Sequence, residues 1–115
     1  MKSILIVEED EDICEIYKLL FESISLEVRN NIKDLEDCLN SCNADLIILD
    51  EWTCGRSYLT ILGLCCKGGK GKCVPVIFCS TNPKMKNAAE SFGAVFLEKP
   101  FDLGCLEDLV ARFVL

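Results

Sequence analysis

Four short apolar runs in this sequence each end on side chains able to handle a phosphoryl group. Glu8, Glu9 and Asp10 follow SILIV, and Asp50 follows DLIIL. Ser80 and Thr81 follow VPVIFC, and Glu98, Lys99 and Pro100 follow AVFL. Carboxylates at close quarters repel, so a group of them implies either a hard divalent cation or raised pKa values. A carboxylate, a metal ion, a lysine and a hydroxyl are the parts that phosphoryl transfer requires. The cation and the lysine neutralise phosphoryl oxygens while a carboxylate oxygen attacks in line. Histidine is absent. That removes Ser-His and Cys-His catalysis, imidazole metal ligation and any phosphohistidine of the chain's own.

These groups meet only if the runs that carry them are strands of one parallel sheet, and the periodicity supports this. Residues 3–7 (SILIV) and 45–49 (DLIIL) are unbroken, β-branched-rich runs of the kind buried on both faces. Residues 74–79 (VPVIFC) form a third, with Pro75 near its start, where a missing N–H is tolerated. Residues 94–97 form the last strand, and 26–30 a short edge strand. Between them helical spacing recurs: Ile13, Ile16, Tyr17, Leu20, Phe21 and Ile24; then Ile32, Leu35, Leu39 and Cys42. Further helices are expected over 58–66, weakened by Gly63, over 84–92, stopped by Gly93, and from Leu103 to the C-terminus. Residues 67–72 (KGGKGK) read as an exposed loop. They are no phosphate-binding P-loop, because Cys66 stands in the first glycine slot and Cys73 in the hydroxyl slot. The order is strand–helix five times, which predicts a doubly wound parallel α/β sheet, with ligands bound at the carboxyl ends of the strands.

Bulk properties agree. The 115 residues suit one domain, 1–115, with half of them apolar, enough for a core without metal or disulfide staples. The net charge of −7 argues against binding a nucleic-acid backbone. The apolar runs are far too short to span a membrane, and the N-terminus lacks the makeup of a signal peptide, so a cytoplasmic location is expected. Nine cysteines are many for this length. Without an export signal they read as reduced thiols filling small apolar slots, with Cys54 the most exposed. A disulfide or soft-metal site among Cys38, Cys42, Cys65, Cys66 and Cys73 is the competing arrangement, although their spacing matches no pair of Cys-x-x-Cys hooks.

Four fragments in register, ILIVEEDEDI, DLIILDEWTCG, PVIFCST and FGAVFLEKPF, resemble the receiver domains of two-component response regulators over nearly the whole chain. The resemblance implies the flavodoxin-like strand order 2-1-3-4-5. It implies Asp50 as phosphoacceptor, with Lys99 and Ser80 bonding phosphoryl oxygens. It implies Mg²⁺ held by Glu8, Glu9, Asp50 and the Trp52 backbone carbonyl, with Glu9 as the direct ligand. Ser80 and Phe96 would be the switch residues, Phe96 acting sterically because it lacks a hydroxyl, and Lys99–Pro100 would be a cis peptide. The implied donor is a histidine kinase or phosphotransfer protein, with output through the fourth helix, fifth strand and fifth helix. Such a protein is a switch, not a conventional enzyme, and it needs neither nucleic acid nor membrane.

The chain departs from the family at Glu9, where receivers carry aspartate. The added methylene moves the carboxylate outward by roughly 1.3–1.5 Å at a site that demands near-octahedral geometry. Cys54 and Tyr58 stand where a proline and a glycine are usual, and Trp52 is bulky enough to cover the pocket mouth. A pseudo-receiver, keeping the fold but not the phosphate, is therefore the second reading. A flavodoxin-type redox protein comes last, because acid after the first strand would repel a flavin phosphate. The chain either stands alone or belongs to a longer regulator.

Overall fold

The structure, a computed structural model, describes residues 2–31, 33, 35–41, 43–67 and 74–114, with the side chains of Arg56 and Lys67 outside that description. β1 (Ser3–Val7), β2 (Ser25–Arg29), β3 (Leu46–Asp50), β4 (Val76–Ser80) and β5 (Val95–Glu98) form one all-parallel sheet in the order β2-β1-β3-β4-β5. Among the described residues, five helices longer than a single turn connect or follow them: α1 (Glu11–Leu20), α2 (Leu35–Ser41), α3 (Tyr58–Lys67), α4 (Lys86–Ser91) and α5 (Leu103–Val114). This is the parallel sheet expected from the alternation, in the flavodoxin-like order that the resemblance implies, with β2 at an edge.

Strict alternation along the central strands divides the interior into two cores. Leu5, Val7, Ile47, Leu49, Val76 and Phe78 face α2, α3 and α4, where they meet Leu35, Leu62 and Ala89. Ile4, Ile6, Leu46, Ile48, Ile77 and Cys79 face α1 and α5, where they meet Tyr17, Phe21, Leu106 and Val110. Both faces are covered, so β1, β3 and β4 are apolar from Ile4 to Val7, Leu46 to Leu49 and Val76 to Cys79, and each fully buried Ile or Leu contributes about 1.5–3 kcal/mol. Tyr58 stacks on Phe78 with ring centroids 6.1 Å apart, joining the start of α3 to the sheet.

Local signals set the helix boundaries. Asp10 is the N-cap of α1, its carboxylate accepting from the Asp12 and Ile13 N–H groups. Gly93 has φ +86°, a conformation that L side chains rarely adopt, and it follows α4 where the chain turns back into β5.

Several expectations need adjusting. The chain does not loop away after Asp50: Glu51–Cys54 is a helical turn and Gly55–Ser57 a 3-10 turn, leading directly into α3. That turn rotates Cys54 inward, so it is buried rather than the most exposed thiol, while Cys105 is exposed. Lys67 belongs to α3 and not to the expected loop; the rest of that expectation, residues 68–72, lies outside the described residues, as do Cys42 and Cys73. α4 is shorter than expected and is entered through a 3-10 turn, Pro83–Met85, because Asn82 caps that turn and Pro83 favours it. Cys14, Cys38, Cys54, Cys65, Cys79 and Cys105 are free thiols.

Candidate functional site

The carboxyl ends of β1, β3 and β5 bring Glu8, Asp50 and Lys99 together. The β1–β2 ladder runs one residue past the strand, through the Glu8 N–H to the Arg29 carbonyl at 3.0 Å. The β4–β5 ladder does the same through the Lys99 N–H to the Ser80 carbonyl at 2.8 Å. Both functional side chains thus stand on backbone that the sheet has already fixed. Asp50, 4 % exposed, has a double role. Its Oδ2 caps the following turn, accepting from the Trp52 N–H at 2.9 Å and the Thr53 N–H at 3.3 Å. Its Oδ1 pairs with the Lys99 ammonium.

Glu8 is 3 % exposed, and its Oε2 accepts the Asp10 N–H at 3.2 Å. Burial pushes its carboxyl above the usual glutamate range, and the Asp50 charge pushes in the same direction. Burial alone would lower the Lys99 ammonium. The hydrogen bond and charge of Asp50, with Glu8 behind them, outweigh burial and hold it above the ordinary lysine value. Two buried carboxylates therefore share one ammonium, and the edge is short of positive charge.

Hard oxygen donors in that condition fit a hard divalent cation such as Mg²⁺, which takes one or two carboxylates and keeps several waters. Among the described residues, however, no three acidic, cysteine or histidine side chains gather round one point. Glu9 explains part of this: its side chain is exposed, while its backbone N–H donates to Thr53 Oγ1 at 3.0 Å. Trp52 is 69 % exposed beside Asp50.

Solved structures of the same shape come from receiver domains. The signal receiver domain of a DNA-binding response regulator from Colwellia psychrerythraea is 21 % identical, with 97 % of each chain covered and a TM-score of 0.82. A signal receiver domain from Clostridium thermocellum is 22 % identical, covers 97 % of this chain and 96 % of its own, and gives a TM-score of 0.83. The receiver domain of a sensor histidine kinase from Pseudomonas aeruginosa is 17 % identical, with 97 % and 96 % covered and a TM-score of 0.79. That protein holds a magnesium ion coordinated in its active site cleft. This chain has the receiver fold. No family model and no curated protein matches the sequence.

On the receiver fold the remaining expected residues fall in two places. Phe96 is half-buried and packs against the core under α4. Lys99–Pro100 is cis. Ser80 is fully buried, but its hydroxyl donates to Glu51 Oε1 at 2.5 Å and not to Asp50. The structure therefore gathers Asp50, Lys99 and Glu8, and ties Ser80 to a neighbour that sequence reading missed. Glu51 reaches Ser80 through the register of β3 and β4, which no local sequence pattern encodes. Asp50 lies opposite Cys79, so Glu51, the first residue past β3, and Ser80, the last of β4, stand side by side. Thr53 was missed as well; it braces Glu9 and Asp50 together, a role visible only once Glu51–Cys54 is known to be helical.

Proposed function

We propose that this chain, acting as one domain, is a phosphoacceptor receiver of a two-component relay. The observation that carries the reading is the ion pair between Lys99 and buried Asp50 at the carboxyl edge of a receiver-fold sheet, with buried Glu8 alongside. An Asp50 carboxylate oxygen forms a bond to phosphorus as the phosphorus–nitrogen bond of a partner's phosphohistidine breaks. The electron pair leaves with the imidazole, which takes up a proton. Lys99 is placed to follow the new negative charge onto a phosphoryl oxygen. Ser80 would bond a second phosphoryl oxygen, and Phe96, packed under α4, would carry the change to the surface of α4, β5 and α5. Glu8, Asp50, the Trp52 carbonyl and, after rearrangement, Glu9 would hold Mg²⁺. When bound, the ion neutralises phosphoryl oxygens as a Lewis acid. The donor is a histidine kinase or phosphotransfer protein, and the domain works as a switch and not as a conventional enzyme. The acidic balance of the chain speaks against direct nucleic-acid contact. Among the described residues no helix is long and apolar enough to cross a membrane.

A second reading, a pseudo-receiver that binds partners without phosphate, is favoured by the outward Glu9 and by the engaged Ser80 hydroxyl. Mass spectrometry after incubation with acetyl phosphate and Mg²⁺ separates the two. The phosphoacceptor reading expects a phosphate adduct in the wild type that disappears in Asp50→Asn. Failure to gain phosphate from acetyl phosphate, phosphoramidate or a cognate kinase would leave the pseudo-receiver standing.

A further inference from the structure

The Ser80 hydroxyl has one hydrogen, and it is already committed. It donates to Glu51 Oε1 at 2.5 Å, while the oxygen accepts the Asn82 N–H at 2.9 Å. The Asn82 carbonyl at 3.4 Å and Met85 Sδ at 3.5 Å are weaker claimants. A short bond to an ionised acceptor is among the stronger kinds of hydrogen bond. Two local features bring Glu51 there. Register sets it beside Ser80, and Asp50, as N-cap, makes it the first residue of the helical turn, where acid is favoured.

We propose that Glu51 is a positioning residue that occupies the Ser80 hydroxyl in place of a phosphoryl oxygen, so that a phosphoryl group on Asp50 has to displace it. The inference rests on the phosphoacceptor reading above. One hydrogen cannot serve both anions, so every Ser80–phosphoryl bond breaks a Ser80–Glu51 bond. A phosphoryl group also adds negative charge to an edge where Glu8 and Asp50 already act on Lys99 and Glu51 holds Ser80. Like charges this close disfavour one another. In this chain, then, phosphorylation exchanges one anion for another at Ser80, where a free hydroxyl would simply be recruited. The device raises the threshold for phosphoryl binding and holds the hydroxyl inward when no phosphate is present.

Beryllofluoride with Mg²⁺ serves as the phosphoryl probe, with Trp52, the only tryptophan, as fluorescent reporter on the full chain. Wild type, Glu51→Gln, Ser80→Ala and the double variant are titrated. Glu51→Gln keeps the shape and removes the charge, and it is expected to bind the probe about tenfold more tightly. In the Ser80→Ala background the same change should gain only a few-fold, because the hydroxyl whose charge-assisted bond it weakens to a neutral one is gone. Equal or weaker affinity in Glu51→Gln, or an undiminished gain without Ser80, overturns the inference while leaving the phosphoacceptor reading intact. If none of the four proteins binds the probe or takes phosphate from acetyl phosphate, the phosphoacceptor reading fails and the inference goes with it. Hydrogen exchange of the Asn82 amide, followed by NMR without any probe, checks the positioning role directly. It should quicken in Glu51→Ala and stay slow in Glu51→Gln; an unchanged rate in Glu51→Ala overturns the role whatever the titrations give.

Discussion

Lys99→Met is the perturbation that tests the charge arrangement of the site most directly. It keeps most of the side chain's length and removes the one ammonium shared by Asp50 and Glu8. Removing one partner of a buried pair costs about 3–5 kcal/mol, because the other charge stays buried without compensation. The Lys99 side chain is 26 % exposed, so water at the site mouth screens part of that loss and about 2–3 kcal/mol remains. At about 2.1 cal/mol/K of unfolding entropy per residue, this chain lowers its Tm by roughly 8–12 °C. The assay is thermal unfolding by circular dichroism from pH 4 to pH 9. The Glu8 carboxyl is raised in the folded state, so between the ordinary glutamate pKa of about 4.3 and the folded value the folded state holds more protons. Stability from this group is therefore greatest at acid pH and falls as pH rises through that window. The slope should be steeper in Lys99→Met, which is rescued in part by low pH. Adding Glu8→Gln to Lys99→Met should recover about half the lost Tm at neutral pH and flatten the acid slope, since it removes one of the two stranded anions. Lys99 itself titrates upward, so its contribution is complete below the ordinary lysine pKa and is lost only above its raised folded value. A fall of less than about 3 °C at pH 7, or no recovery with Glu8→Gln, would refute the picture of two buried carboxylates leaning on one cation.

The remaining expectations concern ligand geometry, capping, backbone conformation and thiols. Glu9→Asp should tighten Mg²⁺ binding, read by Trp52 fluorescence, because the shorter arm suits an octahedral site; unchanged affinity would remove Glu9 as the limiting ligand. Asp10→Ala should cost about 1 kcal/mol in denaturant unfolding by leaving the Asp12 and Ile13 N–H groups uncapped, whereas Asp10→Asn should be close to neutral. Gly93→Ala should destabilise by about 1–2 kcal/mol, since φ +86° has to be kept at the turn into β5; an equal or higher midpoint would show that the turn relaxes. Among the described thiols, Cys105 should be alkylated first in peptide mapping. Cys54 should lag far behind, because burial, followed by the Asp50 and Glu51 charges, pushes its thiol up to about 12.

The middle of the sheet was legible because burial on both faces leaves no polar residue inside β1, β3 or β4, so each run announces itself and ends where the polar edge begins. For the same reason Glu8, Asp50, Ser80 and Lys99 could be placed at the carboxyl edge from spacing alone. What lay beyond reach depended on choices between neighbours. EEDEDI does not say which acid turns inward; the structure buries Glu8, exposes Glu9 and spends Asp10 on the α1 cap. An aspartate ending a strand reads equally as a cap or as a reactive group. Asp50 is a cap and also pairs with Lys99, one oxygen for each, and the cap is what folds Glu51–Cys54 into a helical turn, in a stretch to which the periodicity assigns no element. The Glu51–Ser80 bond was hidden because it depends on the relative register of β3 and β4, which no local pattern encodes.

The order of the strands also decides what is exposed while the chain is being made. β1 gains its first neighbour when β2 emerges, yet its other side stays open until β3, that of β3 until β4, and that of β4 until β5. Each intermediate therefore presents a bare, largely apolar strand, SILIV, then LIILD, then VIFCS, as its growing edge, with Asp50 the one charge among them. Such edges are templates for pairing with other chains. The strands that finally stand outside are of another kind. β2 carries Glu27 and Arg29, paired at 2.7 Å, and β5 is four residues long and runs into Glu98, Lys99 and Pro100. The finished sheet has aggregation-resistant borders and the unfinished one does not. The last strand to be synthesised thus closes off self-association, and it also delivers the lysine that Asp50 needs.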